Sequence, residues 1–144
     1  MANNNTNFSL AFRLKGGTKA RRWIEDLLTK ASAAAGDDTD DKDILAVFKS
    51  WEHYQSMGFE WDFESNDEMW INDGGGEGNV ESVIEFLRAY LAKFDPKGKV
   101  GFEYANTCSS PRVGEFGGGA IVVKAKGPCK YVNTGEWLAK ELSK

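Results

Sequence analysis

The feature that most constrains the fold is a repeated switch between two spacings of apolar residues. From Phe8 to Leu14, apolar residues stand at every second position, as in a strand with one buried face. In the segment 80–94 they recur at every third or fourth position, as in an amphipathic helix, and Asp95-Pro96 ends that segment. A chain of 144 residues with this pattern is expected to combine strands and helices in one domain.

The two spacings predict the element order β-α-(α)-β-β-α-β-β-β-α. The first part of this order is the βαββαβ order of a ferredoxin-like sheet, with the helices mainly on one face. We therefore expect an α+β fold with an antiparallel sheet, extended by a C-terminal hairpin and helix. The whole chain, 1–144, is predicted as a single domain, with a flexible leader at 1–6 and an acidic connector at 36–43.

Local signals refine the helix positions. Thr18, Asn79 and Thr134 are predicted to cap the first helix, the helix over 80–94 and the closing helix. Apolar residues between Ile44 and Trp51 predict a second, shorter helix after the connector.

Charge is divided unevenly along the chain. Residues 1–36 carry six Lys or Arg and two Asp or Glu, whereas residues 37–85 carry two and fifteen. Residues 86–144 return to a basic excess of ten against five, and the net charge is −4. The acidic middle argues against a general nucleic-acid binder, which carries a basic footprint. It favours a partner protein with a basic surface instead.

The acidic middle contains GFEWDFES (58–65), in which aromatic and acidic residues alternate. As a strand, this segment would turn its aromatic residues toward the helices and its acids toward the open face; the residues are Phe59, Trp61 and Phe63, and Glu60, Asp62 and Glu64. Successive carboxylates would then lie about 6.6 Å apart. Asp67 and Glu68, at the following turn, extend the same charge.

Two interpretations of the acidic row stay open. Charge on an edge strand discourages pairing with another chain, and this role needs no ligand. Alternatively, the row docks a basic partner, in the manner of a protein that imitates a nucleic-acid backbone. Mutual repulsion among closely spaced carboxylates is a cost that such a function would explain.

A glycine-rich loop, SSPRVGEFGGG (109–119), presents Arg112, Glu115 and Phe116. One interpretation is a wide hairpin loop with a bulge, for which glycine allows the backbone conformations. The other is partner recognition, with Arg112 and Phe116 as anchors.

No catalytic signature, metal-ligand set or cofactor motif is evident in the sequence. The alternative to a binding protein is a small cytoplasmic enzyme that uses Cys108, with His53 as its base, or a Glu60/Glu103 carboxylate pair on the open face. Two cysteines are too few for a structural zinc site, and a Cys108–Cys129 disulfide is left open.

Gly16-Gly17-Thr18-Lys19 lies between a predicted strand and a predicted helix, where backbone N–H groups can hold an anion. The P-loop spacing G-x-x-x-x-G-K-[ST] is absent, so a turn followed by a charged helix face is the favoured interpretation.

FEYANTCSSPRVGEFGGGAIVVKA, followed by NTGEWL, resembles a motif in a family of uncharacterised small proteins of phages and other mobile genetic elements. The segments WIEDLL, GFEWDF and AYLAKFDP match the same pattern, so the resemblance covers most of the chain. The resemblance implies a protein that inhibits a host defence system or a host enzyme by direct binding. It implies no catalytic residue.

These observations together predict a non-enzymatic binding protein that inhibits a host nucleic-acid-handling or defence protein. The predicted partner-binding residues are Glu60, Asp62, Glu64, Asp67, Glu68, Arg112, Glu115 and Phe116. The start MANNNTNFSL lacks the blocks of a secretion signal, and a cytoplasmic location is expected. No cofactor, direct nucleic-acid contact or membrane contact is expected, and self-association into a homodimer is left open.

Overall fold

A computed structural model of the chain describes residues 4–75 and 78–144. The described residues form six strands and five helices. The strands are β1 (Asn4–Arg13), β2 (Glu60–Ser65), β3 (Glu68–Asn72), β4 (Lys99–Cys108), β5 (Gly117–Lys124) and β6 (Lys130–Asn133). The helices are α1 (Gly17–Ala33), α2 (Lys42–Val47), α3 (Trp51–Tyr54), α4 (Val80–Phe94) and α5 (Thr134–Leu142). This confirms the predicted α+β class.

The strands form one antiparallel sheet in the order β2-β3-β1-β4-β5-β6. The central strand, β1, divides its pairing between two neighbours. Its second half, Ser9 to Arg13, pairs with β3, and its first half, Asn4 to Phe8, pairs with β4. β2 and β6 are consequently the two edges of the sheet.

One face of the sheet carries the core. Buried residues alternate along the strands, and they are Phe8, Leu10, Met69, Ile71, Val100, Phe102, Ile121 and Val123. α1 and α4 supply the other large share, including Ile24, Leu28, Phe86 and Leu87. Each such side chain stabilises the fold by roughly 1.5–3 kcal/mol on burial. The opposite face of the sheet, here called the open face, is made of the alternate residues.

Two of the three predicted helix caps are wrong. Asn79 caps α4 as predicted, because its side chain accepts a hydrogen bond from the backbone N–H of Ser82. α1 instead begins at Gly17, before Thr18, since the left-handed backbone of Gly16 turns the chain out of β1. α5 is capped by Asn133 rather than Thr134.

The predicted second helix is broken in two. α2 ends at Val47 because Phe48 leaves the helical conformation, and α3 starts at Trp51. The break lets the Phe48 and Trp51 rings both enter the core, with 6.3 Å between their centroids. The Trp51 indole N–H also donates to the carbonyl of Asp37, which anchors the connector.

The strand β1 reaches further toward the N-terminus than predicted. Residues 4–6, assigned to a flexible leader, pair with β4, and residues 1–3 lie outside the described residues. Polar side chains hold this end: the Thr6 hydroxyl donates to Asn106, and the Thr107 hydroxyl donates to Asn7. Because this segment is polar, its sequence pattern did not predict a strand, although the segment pairs with β4 through both backbone and side chains.

The predicted acidic connector is irregular from 36 to 41, and its last two residues open α2. In the described part of the chain, each helix is too short or too polar to cross a bilayer.

Candidate docking surface

β2 carries the alternation that its sequence predicted. Glu60 and Asp62 are exposed on the open face, whereas Trp61 and Phe63 are half-buried on the helix side. The two rings meet edge to face at 5.7 Å, and the Arg21 guanidinium lies 4.2 Å from the centre of the Phe63 ring. The aromatic half of the pattern is thus used in packing, and the acidic half faces water.

The acidic row is regular over only two residues. The pairing of β2 with β3 shifts between Phe63 and Ser65, so Glu64 lies in a β-bulge. A bulge bends the strand and re-aims its side chains. Glu64 therefore does not continue the row formed by Glu60 and Asp62.

Neutralisation by basic side chains differs among the predicted acids. Within residues 4–75 and 78–144, no Lys or Arg forms an ion pair with Glu60, Asp62 or Glu64. Asp67 lies 3.5 Å from the Arg13 guanidinium and also accepts from the Ser65 hydroxyl. Among these four acids, the three on β2 thus keep their negative charge without a basic partner in the described chain, whereas Asp67 does not.

Trp70 is a candidate binding residue that the sequence interpretation missed. It lies on β3 between the buried residues Met69 and Ile71, so its side chain is on the open face, directly opposite Asp62. Its indole N–H donates to the Ser9 hydroxyl at 2.8 Å, which fixes the half-buried ring against β1. The signal was present in MWIN, where alternation separates the tryptophan from its two apolar neighbours.

Glu68 precedes Trp70 by two residues on the same strand and faces Arg13 in the sheet register. Glu60, Asp62, Glu68 and Trp70 together form one surface on the open face, named the acidic patch below. Arg13 and Asp67 bound this patch at the end near the β2–β3 turn.

The connector carboxylates are partly neutralised by the chain itself. The Lys30 ammonium lies 3.1 Å from Asp43 and 3.6 Å from Asp41, and these carboxylates raise the pKa of Lys30. Asp41 also accepts hydrogen bonds from the backbone N–H groups of Ile44 and Asp43, which lower its pKa. Asp41 and Asp43 are thus held against α1 and α2, whereas Asp37, Asp38 and Asp40 are exposed and form no ion pair within the described residues.

The glycine-rich loop lies away from the acidic patch. It begins after Cys108, which pairs with Asn4, whereas Glu60 is level with Asn72 and Ser9. Five residues along β1 and three strand spacings across the sheet separate the two, which is roughly 20 Å.

Arg112 and Phe116 are exposed on this loop, Glu115 is partly buried, and Val113 is fully exposed. The predicted partner-binding residues therefore divide into two groups, one on the β2–β3 hairpin and one on the loop between β4 and β5. The three glycines at the start of β5 have a structural role: a Cβ on Gly118 would lie 2.3 Å from the Tyr104 carbonyl oxygen.

The carboxylate pair proposed for an enzyme does not form. β3 and β1 lie between β2 and β4, so the Cα atoms of Glu60 and Glu103 are roughly 14 Å apart, at about 4.8 Å per strand, and the side chains of the two intervening strands lie between them. Paired catalytic carboxylates of glycoside hydrolases lie within about 5–9.5 Å.

Both cysteines are free thiols. Cys129 adjoins Lys130, which is level with Gly101 of β4, while Cys108 lies at the far end of β4. That separation, roughly 20 Å along the strand, exceeds the reach of a disulfide. His53, the base proposed for Cys108, is exposed on α3 with its ring edge-on to Tyr54.

The N-terminus of α1 keeps the predicted turn. Gly16 and Gly17 have left-handed backbones. Arg21 forms an ion pair with Glu25 and a cation–π contact with the Phe63 ring.

In the described ranges, no cluster of three His, Cys, Asp or Glu side chains is arranged to hold a metal ion.

Comparisons with models of protein families, with curated proteins and with solved structures gave no match for this chain. The resemblance to small phage proteins therefore stays a prediction.

Proposed function

We propose that this chain is a non-enzymatic binding protein that docks a basic surface of a partner protein through the acidic patch. The observation that carries the proposal is the juxtaposition of Trp70 with two exposed carboxylates, Glu60 and Asp62, that pair with no lysine or arginine of the described chain. Edge protection accounts for the acids on β2, but it gives no reason for a tryptophan beside them on the open face.

The two parts of the patch have different roles in this proposal. Carboxylates at the surface accelerate encounter with a positively charged partner and set its orientation, and they add modest affinity. Trp70 supplies the anchor, because an indole face attracts a lysine or arginine side chain by a cation–π contact. The Ser9 hydrogen bond holds the ring in place before binding, so little side-chain entropy is lost.

This assignment changes the anchors but keeps the class of partner. Arg112 and Phe116 lie on the loop that follows Cys108, roughly 20 Å from Glu60, so we do not assign them to the acidic patch. The partner class is a cytoplasmic host protein with a basic, nucleic-acid-handling surface, and the chain acts as a phage or mobile-element inhibitor. The resemblance to phage proteins and the fifteen acids of residues 37–85 support this class.

We further infer that β1 to β4 with α1 and α4 constitute a ferredoxin-like unit to which β5, β6 and α5 are added. The order β2-β3-β1-β4 within the sheet supports this topology. In such a unit β2 is an edge strand, which leaves the patch accessible at the rim of the sheet.

A fluorescent Lys- and Arg-rich peptide is the probe for the test, with binding followed by anisotropy. The double variant Glu60→Gln/Asp62→Asn should weaken binding, and Trp70→Ala should weaken it about tenfold. Raising the salt concentration from about 50 to about 300 mM should also weaken binding by the wild type, because exposed charges are screened.

The matched control is Asp26→Asn/Glu52→Gln, which removes the same charge from exposed positions on α1 and α3. If the control variant weakened peptide binding equally, net charge alone would explain the effect, and this result would overturn the proposal that the acidic patch is the binding site. Unchanged affinity of the double variant would do the same. Thermal melting of each variant checks that the fold is intact.

A further inference from the structure

The two edges of the sheet are built differently. β2 carries Glu60 and Asp62 and is bent by a bulge at Glu64, and both features discourage pairing with another strand. β6 carries Tyr131 and Val132, each 61% exposed, and its regular pairing with β5 leaves its other side open. One edge is therefore protected against strand addition, and the other is suited to it.

The helix that follows β6 has an unpartnered apolar side. α5 is amphipathic, yet none of its residues is buried. Trp137, Leu138 and Leu142 are 59%, 51% and 77% exposed. A nine-residue helix is too short to be stable on its own sequence, so packing of its apolar side decides its stability. β6 and α5 thus expose apolar side chains at the same edge of the sheet, with Tyr131 and Val132 on its two opposite faces.

We propose that β6 and α5 form the interface between two copies of this chain. The β6 strands pair antiparallel across a two-fold axis normal to the sheet, so that the sheet continues from one copy into the other. Such an axis keeps both α5 helices on the same face, where their apolar sides meet. This inference does not depend on the acidic patch, which lies at the opposite edge.

The two-fold symmetry restricts the register of the paired β6 strands, because a residue that lies on the axis faces the same residue of the other copy. Centring on Tyr131 or on Val132 lets three residues of each β6 strand face the other copy. We take the register centred on Tyr131, in which the two Tyr131 rings face each other and Lys130 of each copy faces Val132 of the other. This register keeps the two Lys130 side chains from facing each other, an arrangement that would be destabilising.

The charges of the interface fit a second copy better than a strongly charged partner. β6 and α5 carry Lys130, Lys140, Glu136 and Glu141, which balance to zero. A copy of the same surface meets no net repulsion, and a highly acidic or basic protein gains no net attraction. Apolar contact is then the main source of affinity.

The size of the interface predicts a weak dimer. The four residues of β6 and nine of α5 are fewer than the 20–30 residues per side of a standard interface. We therefore expect dissociation constants in the micromolar range, with dimer forming as concentration rises.

Sedimentation equilibrium from about 1 µM to about 1 mM tests the proposal over that range. The wild type should shift from monomer to dimer, and Val132→Lys/Leu138→Lys should stay monomeric at every concentration. Both substituted residues are more than half exposed, so we expect the fold to be retained, and thermal melting checks this. Leu45→Lys is the matched control, since Leu45 is 40% exposed on α2, and it should dimerise as the wild type does.

A crosslink tests the register. Tyr131→Cys, in a chain with Cys108→Ser and Cys129→Ser, should give a covalent dimer with a short bismaleimide, and Tyr54→Cys in the same background should not. A wild-type monomer at about 1 mM would overturn the proposal. Dimerisation of the Val132→Lys/Leu138→Lys variant with wild-type affinity would show another interface and would also overturn it.

Discussion

The hydroxyl of Tyr90 accepts a hydrogen bond from the backbone N–H of Lys15, with 2.6 Å between oxygen and nitrogen. Tyr90 lies on α4 with its ring buried, 5.5 Å from the ring of Phe12. Lys15 lies between the end of β1 and the start of α1. One side chain of α4 thus fixes the turn that positions α1 over the sheet.

Tyr90→Phe should lower the free energy of unfolding by about 1 kcal/mol, because it leaves the Lys15 N–H without its partner while keeping the ring. Urea unfolding at neutral pH measures the change. Tyr54→Phe, at a ring that is 46% exposed, is the matched control and should leave the midpoint unchanged.

Ionisation of Tyr90 should lower the free energy of unfolding at alkaline pH. Burial raises the pKa of Tyr90 above 10.0, and the Lys15 N–H offsets part of that rise. Between the unfolded and folded pKa values, the folded state binds the proton more tightly, so the stabilisation is complete below pH 10 and is lost above it. The difference in urea midpoint between the wild type and Tyr90→Phe should therefore narrow as pH rises past 10. A constant difference would contradict the assignment.

Gly118→Ala should destabilise the protein by about 1–3 kcal/mol. The new Cβ would lie 2.3 Å from the Tyr104 carbonyl oxygen, so β4 and β5 would have to separate. Gly101→Ala is the control within the same strand pair, since its Cβ would meet only ordinary contacts, the nearest at 3.4 Å. Thermal melting of both variants gives the comparison, and equal losses would show that close approach is not the cause.

Asp41 should contribute to stability only above acidic pH. Its carboxylate caps α2, and the N–H groups of Ile44 and Asp43, with Lys30, lower its pKa below 3.8. Folding then favours the ionised form, and this stabilisation is lost as pH falls through the lowered pKa. Asp41→Ala should melt at a lower temperature than the wild type at pH 7, and the gap should shrink below pH 4. Asp40→Ala, which removes an exposed carboxylate one residue earlier that does not cap α2, is the matched control for the loss of charge.

The spacing of apolar residues predicted the fold class, because apolar residues line the buried face of the sheet and the buried stripes of α1 and α4, while polar residues occupy the exposed sides. The alternation in β2 and the stripe of α4 both reappear in the structure. The N-terminal part of β1 escaped prediction because Asn4, Asn5 and Thr6 are polar, and their pairing with β4 depends on residues a hundred positions away. Interruption of the second helix at Phe48 likewise reflects tertiary packing rather than local propensity.

The candidate site was predicted in part for a related reason. Sequence spacing placed Glu60 and Asp62 on one side of a strand, and that arrangement is local. Which residues stand beside them depends on strand order and register. Those relationships bring Trp70 next to Asp62 and place Arg112 and Phe116 on the separate loop between β4 and β5.

The divided pairing of β1 sets the order in which the protein can be completed during synthesis. This strand is synthesised before both of its neighbours, and its second half can pair once β3 has been made. The first half must wait for β4, nearly a hundred residues later, and closing so long a loop slows folding. Until β4 has been made, the first half of β1 presents backbone N–H and C=O groups without their partner strand, and such an edge can pair with another chain.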